Sequence, residues 1–259
     1  MKIIRFLYQN ESNWGVLEGG VVKIITGSPF GKIDYSAGVS LDKTKLLHPF
    51  AGGKIILAGL NYIDHAKELS MKIPDEPVIF LKPVTSVIGP DEEIIYPEGV
   101  EKLDYEAELA LVIKEQCRNV EEQDALDFIL GYTCLNDVTA RDLQSKDIQW
   151  TRAKSFNTFC PLGPWIETEI NPADLKITSY LNGEIRQNSR TSNFIFSVPQ
   201  LVSFISKIMT LLPGDVISTG TPPGVGGMKI GDTIEVEIEG IGRLRNYVRG
   251  PGILDKKSG

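Results

Sequence analysis

Two glutamates, Glu106 and Glu108, stand two positions apart in the largely apolar stretch 104–113. Side chains at positions i and i+2 of a β-strand project to the same face, with their α-carbons about 6.6 Å apart. Ala110 and Val112 would share that face, and the opposite face is also mostly apolar, so the acids repel each other and lose hydration. Hard divalent cations prefer carboxylate oxygen. The spacing predicts a metal site, with pairing to surface lysines as the alternative.

Asp137 offers a third oxygen donor. It follows the predicted strand 132–135 and precedes the helix-like residues 139–144. Loops at strand ends commonly carry functional side chains, although an aspartate there could equally cap the helix. Three oxygen donors favour Mg²⁺ or Mn²⁺ over zinc, and so few protein ligands would leave coordination positions for water and substrate.

His65, one of two histidines in the chain, precedes Glu68 by three residues. On a helix this spacing puts both side chains on one face, where the carboxylate could orient the imidazole as a general base. An exposed polar helix turn is the alternative interpretation. His48 has no such neighbour and is predicted to lie in a loop.

Weaker candidates follow. Lys154 could stabilise a developing oxyanion, although in isolation it is typical of a surface lysine. The segment 218–224 follows a predicted strand and could offer hydroxyl and backbone N–H groups to a substrate carboxylate, or form a tight turn. The chain has no Gly-x-Ser-x-Gly elbow, Walker A loop, dinucleotide-binding glycine motif or His-Glu-x-x-His pair.

The elements that must position these residues are mostly short strands. Apolar runs at 3–8, 13–17 and 21–25 predict a small N-terminal β region of residues 1–50, either a separate domain or the first layer of a single one. Helices are predicted at 62–71, 121–130 and 199–209, and strands at 54–60, 78–81, 104–113, 131–135, 177–181, 216–219 and 233–238. Strands outnumber helices, which favours a β-rich α+β fold over a doubly wound sheet.

The composition narrows the class of protein, the partners and the location that we expect. The 259 residues can bury a sizeable core, and 42% hydrophobic with 24% charged residues is typical of a globular protein. A net charge of −7 argues against nucleic acid or anionic membrane as a partner. Three cysteines without a Cys-x-x-Cys pair suggest no disulfide framework. The chain shows no secretory signal or membrane-spanning run, so we expect a cytoplasmic location.

Taken together, the motifs resemble the fumarylacetoacetate hydrolase family from about residue 54 to 248. They occur in the family's order: Gly59-Leu60-Asn61-Tyr62, Asp64-His65-Ala66 with Glu68, Phe80-Leu81-Lys82-Pro83, Asp104-Tyr105-Glu106-Ala107-Glu108-Leu109, Asn136-Asp137-Val138-Thr139-Ala140-Arg141-Asp142-Leu143-Gln144, Lys154-Ser155-Phe156, Cys160-Pro161-Leu162-Gly163-Pro164, Asn182-Gly183-Glu184 and Thr219-Gly220-Thr221-Pro222. Asn157, Asn188 and Asn193 depart from the family pattern, which often has aspartate at these positions.

The resemblance implies a mixed β-roll catalytic domain over residues 51–259, usually dimeric, behind the N-terminal β appendage. It implies Mg²⁺ or Mn²⁺ on Glu106, Glu108 and Asp137. The catalytic positions would be His65, Glu68, Lys154 and Gln144. The segment that carries the His65–Glu68 dyad would become ordered as a lid over the substrate. The positions implied for substrate binding are Arg141, Lys82, Thr221 and Gly220.

The activity that the resemblance implies is metal-dependent chemistry on a small 2-oxo acid through an enolate. Hydrolysis of a C–C bond in an acylpyruvate-type acid is our first expectation. The alternatives are an isomerase or decarboxylase of a hydroxymuconate-type diacid, an oxaloacetate decarboxylase, or a metal-binding protein without turnover. The loops 68–77 and 185–197 are expected to decide among the reactions.

Overall fold

Strands dominate the computed structural model, which describes residues 1–252. The N-terminal strands are β1 (Lys2–Tyr8), β2 (Glu11–Glu18), β3 (Val21–Thr26), β4 (Asp34–Ser40) and β5 (Lys45–Leu47). The next are β6 (Ile55–Ala58), β7 (Ile79–Lys82), β8 (Val87–Ile88), β9 (Glu93–Ile95), β10 (Leu103–Tyr105), β11 (Ala107–Ile113), β12 (Ile129–Asn136) and β13 (Thr139–Ala140). The last are β14 (Cys160–Glu167), β15 (Lys176–Leu181), β16 (Glu184–Arg190), β17 (Val216–Ser218), β18 (Gly226–Met228), β19 (Thr233–Ile238) and β20 (Gly242–Arg249).

These strands form three sheets. The largest has twelve strands in the order β4-β3-β2-β1-β14-β12-β11-β17-β6-β7, with β5 beside β1 and β8 beside β14. A three-stranded sheet runs β13-β10-β18, and a five-stranded sheet runs β16-β15-β19-β20-β9. Most neighbours are antiparallel, but β6 pairs with β17, β8 with β14 and β9 with β20 in parallel. The predicted β-rich α+β class with mixed sheets is confirmed.

The N-terminal strands extend the largest sheet instead of standing apart from it. β1 pairs with β14 through Lys2 opposite Glu167 and Ile3 opposite Ile166. The amino group of Met1 also lies 2.7 Å from a carboxylate oxygen of Glu167. A small apolar cluster of their own lies beneath these strands, formed by Ile4, Phe6, Val22 and Val39. A domain boundary near residue 50 stays a prediction.

Strand β11 is buried on both faces, as its sequence predicts. Leu109 and Leu111 pack in a cluster that includes residues of the five-stranded sheet. Ala110 and Val112 point the other way, into a second cluster with apolar residues of the largest sheet. Fully burying each such leucine or valine is worth roughly 1.5–3 kcal/mol. The backbone that carries Glu108 is therefore held rigidly from both sides.

The stretch 104–113, predicted as one strand, is two strands with a break at Glu106. Before the break, Tyr105 pairs with Gly226 in the three-stranded sheet. After it, Ala107 pairs with Asn136 in the twelve-stranded sheet. The N–H of Glu106 donates to the side-chain oxygen of Asn136 at 3.0 Å. The chain thus changes sheets at Glu106.

In the part of the chain that the structure describes, four α-helices accompany the sheets: α1 (Ile63–Glu68), α2 (Arg141–Lys146), α3 (Thr151–Lys154) and α4 (Val198–Ile208). The predicted helices at 62–71 and 199–209 correspond to α1 and α4. The helix predicted at 121–130 is wrong: residues 122–128 form 3₁₀ turns, and 129–130 begin β12. Its apolar spacing suits either structure, and pairing of Ile129 with Ile113 in β11 decides for the strand. Within residues 1–252, no helix is long and apolar enough to cross a membrane.

Candidate metal centre and active site

Glu106, Glu108 and Asp137 converge at the junction of the twelve- and three-stranded sheets. One oxygen from each carboxylate lies within 4.8 Å of the others, and all three side chains are buried. Glu106 occupies the gap between β10 and β11, while Asp137 occupies the matching gap between β12 and β13. The structure therefore brings together the three acids that the sequence predicts as metal ligands.

Three cations surround these acids. Lys154 lies 3.0 Å from Glu106 and 2.5 Å from Asp137, and its side chain is only 2% exposed. Arg141 donates to both Asp104 and Glu106. The ammonium of Lys82 lies 2.6 Å from Oδ1 of Asp137, outside hydrogen-bonding geometry, and donates to the backbone oxygens of Val138 and Phe159.

The surroundings shift the pKa values of the charged groups in the site in different directions. Burial would raise the pKa of Glu106, but the charges of Lys154 and Arg141 outweigh it and lower that pKa to about 2. Burial raises the pKa of Glu108 well above its usual value, and the charges of Asp137 and Glu106 raise it further. Burial opposes charge on Lys154, yet Asp137 and Glu106 raise its pKa. Glu108 is therefore the acid whose negative charge is least compensated.

The side chains fit a hard divalent cation. All three donors are carboxylates, the ligands that Mg²⁺ and Mn²⁺ prefer. Oδ1 of Asp137 is buried and accepts no hydrogen bond, although the ammonium of Lys82 lies 2.6 Å away, so this oxygen has unused capacity to coordinate an ion. Because the negative charge of Glu108 is the least compensated in the cluster, a bound cation would stabilise its ionised carboxylate. Glu106, Glu108 and Asp137 are the residues that could hold such an ion.

His65 and Glu68 form a hydrogen-bonded pair on α1. Nδ1 of His65 lies 2.8 Å from Oε2 of Glu68, and the other oxygen of Glu68 accepts from the backbone N–H of Gly224 at 3.1 Å. The His65 side chain is 12% exposed and that of Glu68 is 43% exposed. The carboxylate is thus fixed between the helix and the loop at Gly224, and it orients the imidazole.

A neighbouring residue fastens the same helix to the body of the protein. Oδ2 of Asp64 accepts from Ser189 at 2.6 Å and from Asn193 at 3.3 Å. Its other oxygen accepts from the backbone N–H of His65 at 3.0 Å. Just before the helix, Asn61 bonds to the backbone at Phe196. These contacts join α1 to the end of β16 and to the segment that follows it.

One cavity of about 290 Å³ lies between the acids and this helix. Its lining includes Glu106, Lys154, Arg141, His65, Gln144 and Thr221 together with apolar side chains. Most of the predicted site residues therefore face one space. A larger cavity of about 830 Å³ lies next to it, and none of its lining residues among 1–252 is one of the three acids.

Two residues predicted to bind substrate are engaged elsewhere. The fully buried ammonium of Lys82 contacts Asp137 and backbone oxygens, and Lys82 lines the larger cavity instead of the smaller one. The N–H of Gly220 donates to Glu108 at 3.0 Å. Gly220 has a φ of +87°, and a β-carbon there would lie 2.9 Å from the side chain of Asn61. Both residues thus orient candidate metal ligands.

Other side chains complete the site without having been predicted. Ser218 donates to Glu108 at 2.5 Å, and the hydroxyl of Thr139 donates to Glu106 at 3.3 Å. Gln187 donates to Thr221 at 2.7 Å and accepts from the N–H of Ala107. The segment containing Ser218 was noted in the sequence, but as a contact for a substrate carboxylate. No local pattern points to Gln187, because its partners lie 34 and 80 positions away.

Two family models match the chain. The family description "Fumarylacetoacetate (FAA) hydrolase C-terminal" matches residues 54–249, and "Rv2993c-like, N-terminal" matches residues 1–49. An uncharacterized protein of Methanocaldococcus jannaschii is 61% identical over 196 residues, which are 76% of this chain and 83% of that one. A 2,4-didehydro-3-deoxy-L-rhamnonate hydrolase of Sphingomonas is 43% identical over 208 residues, 76% of this chain and 73% of its own.

A solved structure shares the fold over nearly the whole length. It is that of a 5-carboxymethyl-2-hydroxymuconate delta-isomerase from Mycobacterium smegmatis, which superposes with a TM-score of 0.92 at 44% identity. The match covers 97% of this chain and 100% of the other. The predicted β-roll with a small N-terminal β region is thereby confirmed.

Proposed function

The chain belongs to the fumarylacetoacetate hydrolase family of enzymes, and on that premise we propose that it hydrolyses a C–C bond in an acylpyruvate-type acid with Mg²⁺ or Mn²⁺. The observation that carries the proposal is that Glu106, one of the three buried acids, and His65, which is hydrogen-bonded to Glu68, line the same cavity. A protein that only binds metal has no need of an imidazole oriented by a carboxylate. The hydrolase from Sphingomonas supports this reading by analogy.

A divalent ion held by Glu106, Glu108 and Asp137 would stabilise the negative charge that develops on the keto oxygen of the substrate. Lys154, whose ammonium touches two of these acids, adds positive charge beside the same oxygen. Lys82 and Gly220 hold Asp137 and Glu108 in place. This end of the cavity would bind the pyruvate part of the substrate.

The dyad would activate water at the other end. His65, oriented by Glu68, takes one proton from a water molecule as its oxygen adds to the acyl carbonyl carbon. The bond from that carbon to the central CH₂ then breaks, and its electron pair passes into the pyruvate enolate. A proton delivered to the CH₂ carbon completes pyruvate. The balance is R–CO–CH₂–CO–COO⁻ + H₂O → R–COO⁻ + CH₃–CO–COO⁻ + H⁺.

We assign Gln144 to the water that His65 would activate, whereas Arg141 contacts Glu106 at the end of the cavity that holds the acids. The side-chain oxygen of Gln144 accepts from Arg141, and both residues line the cavity with His65. An amide fixed in this way offers its NH₂ group to water or to the acyl oxygen. Thr221 also lines the cavity, and its hydroxyl donates to the backbone of Ala107, so we assign it to shaping the wall.

Isomerisation or decarboxylation of a diacid is the second candidate. The mycobacterial isomerase shares the fold at 44% identity, and both reactions need the enolate but no attacking water. Decarboxylation of oxaloacetate would use the same end of the site. These reactions differ from hydrolysis in their products, so one assay separates them.

The test is turnover of acetylpyruvate, fumarylpyruvate, oxaloacetate and a hydroxymuconate diacid, with and without Mg²⁺ or Mn²⁺. We expect metal-dependent release of pyruvate and a carboxylic acid, lost in Glu106→Gln and in His65→Ala. His48→Ala changes the chain's other histidine and serves as the control. Release of CO₂ or an isomer without hydrolysis would replace the first candidate by the second. Mn²⁺ binding without turnover of any of the four acids would favour a non-catalytic binder.

A further inference from the structure

The small cavity is charged near the acids and becomes apolar further away from them. Lys154 touches Glu106 and Asp137, and its ammonium lies 5.1 Å from the ring centre of Phe80. Phe80 meets Trp150 edge to face, with ring centres 5.4 Å apart. A path from the carboxylates outward therefore passes one cation and then reaches an aromatic wall.

The rim of the cavity is also apolar. Leu69 and Met71, in the segment just after α1, line it although they are 50% and 55% exposed. Ala58 and Leu60 contribute further apolar lining. Exposed apolar side chains gathered around a cavity are typical of a binding surface for an apolar group.

The cations at the cavity are already engaged near the acids. Arg141 donates to Asp104, Glu106 and Gln144, and Lys154 is held between two carboxylates. His65 is paired with Glu68. Among residues 1–252, the lining of this cavity includes no further lysine or arginine. A second carboxylate at the outer end of a substrate would lose water against apolar side chains without gaining a charged partner, which is unfavourable.

Room for a longer apolar group lies behind the aromatic wall. Phe80 and Trp150 line both the 290 Å³ cavity and the 830 Å³ cavity beside it. The larger cavity is bordered by further apolar side chains, among them Val78, Leu81 and Ile148, and the lysine in its described lining, Lys82, has its ammonium against Asp137. An acyl chain that passes Phe80 would keep apolar contacts as it grows longer.

We propose that the site selects 2,4-dioxo acids whose acyl group is uncharged and apolar, with Phe80, Trp150, Leu69 and Met71 as the residues that determine this specificity. The inference rests on the proposed function, because it concerns the acyl half of the substrate whose hydrolysis is proposed there. It separates this chain from an enzyme adapted to a substrate with a carboxylate at both ends.

The test compares 2,4-dioxooctanoate with 2,4-dioxooctanedioate, which has the same chain length but a second terminal carboxylate. With saturating Mg²⁺, we expect kcat/KM to favour the monoacid by at least about 10-fold, since its end group loses no charge hydration. From 2,4-dioxopentanoate to 2,4-dioxooctanoate, kcat/KM should rise about 3- to 4-fold for each added CH₂ that is fully buried.

Met71→Lys would place a cation at the rim and should shift the preference toward the diacid by at least about 10-fold. Leu126→Lys, at an exposed leucine outside this cavity, adds the same charge and should leave the preference unchanged. A wild-type preference for the diacid, or no effect of chain length, would overturn the inference while leaving hydrolysis in place. If 2,4-dioxopentanoate reacts but neither eight-carbon acid does, this inference fails alone; if none of the three acids reacts with Mg²⁺ or Mn²⁺, the proposed function fails and this inference with it.

Discussion

The backbone N–H of Asp137 donates to the backbone carbonyl of Glu106 at 2.9 Å, where both segments pass between the twelve-stranded and the three-stranded sheet. Each acid sits in the break between two strands, and the partner strands on either side are hydrogen-bonded to each other. The separation of these two acids is therefore set by the backbone, before any metal binds.

This arrangement predicts that replacing one of these acids by an uncharged side chain strongly weakens metal binding. We expect Glu106→Gln to weaken Mn²⁺ binding by more than about 100-fold, because losing a group that merely orients a ligand already costs about 10- to 100-fold. Isothermal titration calorimetry at neutral pH measures the change. Glu101→Gln, at an exposed acid shortly before it in the chain, should bind Mn²⁺ like the wild type. Equal affinities for the two variants would remove Glu106 from the ligand set.

Lys154 competes with a metal for the same carboxylates. Without metal, Lys154→Met removes the buried cation that Glu106 and Asp137 share, which leaves Arg141 and Lys82 as their partners, and should lower the free energy of unfolding by about 3–5 kcal/mol. Excess Mn²⁺ should recover most of that loss, whereas EDTA should not. Urea unfolding under both conditions measures this. Lys102→Met, at a lysine 57% exposed, is the control. If Mn²⁺ does not restore the lost free energy of unfolding, Lys154 and the metal do not compete for these carboxylates.

Ser218 orients Glu108, so its hydroxyl should matter for metal affinity more than for the fold. We expect Ser218→Ala to weaken Mn²⁺ binding by about 10- to 100-fold. Ser206→Ala removes a buried hydroxyl that is hydrogen-bonded in α4, so it should have a similar effect on stability without changing Mn²⁺ affinity. Calorimetric titration of both variants with Mn²⁺ separates the effect on metal affinity from the effect on stability. If both variants bind Mn²⁺ with the same affinity, Ser218 has only a structural role.

Asp64 should act through the position of His65. Asp64→Ala removes the acceptor of two side-chain donors, each such bond to a charged group being worth about 1.5–3 kcal/mol. We expect faster hydrogen exchange in α1 and about a 10-fold lower kcat/KM, with Mn²⁺ affinity unchanged. Asp75→Ala, at an aspartate 90% exposed beyond the same helix, should behave like the wild type. Unchanged exchange in α1 would refute this positioning role.

His48 should make the protein less stable in mild acid. Burial lowers its pKa, and the charge of Arg5, 3.5 Å away, lowers it further. The unfolded chain therefore takes up the proton first, so stability falls as the pH drops below the unfolded pKa of about 6.5. His48→Gln should flatten that fall between pH 7.5 and 5.5 in urea unfolding. An identical slope in the variant and the wild type would show that other groups cause it.

Much of the site follows from local rules. The helical spacing of three brings His65 to Glu68, and the close spacing of Glu106 and Glu108 predicted that they share a site, although the single strand assumed for them is broken at Glu106. Asp137 was found because it follows a strand. These relationships involve residues close in sequence, so the chain itself specifies them.

Long-range pairing could not be predicted in the same way. Ser218 reaches Glu108 across 110 positions because β17 pairs with β11, and the sequence does not show which strands become neighbours. Lys82 shows the same limit: its motif indicated a substrate contact, while the fold turns its ammonium toward Asp137, 55 positions further on. The break at Glu106 likewise depends on two sheets meeting, which no periodicity along one strand reveals.

The two halves of the proposed machinery rest on different parts of the molecule. The acids belong to the junction of two sheets, whereas His65 lies on a short helix fastened by a few side-chain contacts of Asp64, Glu68 and Asn61. Substitutions around that helix can accumulate without disturbing the backbone that spaces the acids. In evolutionary terms, a lineage can exchange one reaction or acyl group for another while inheriting its ion site intact.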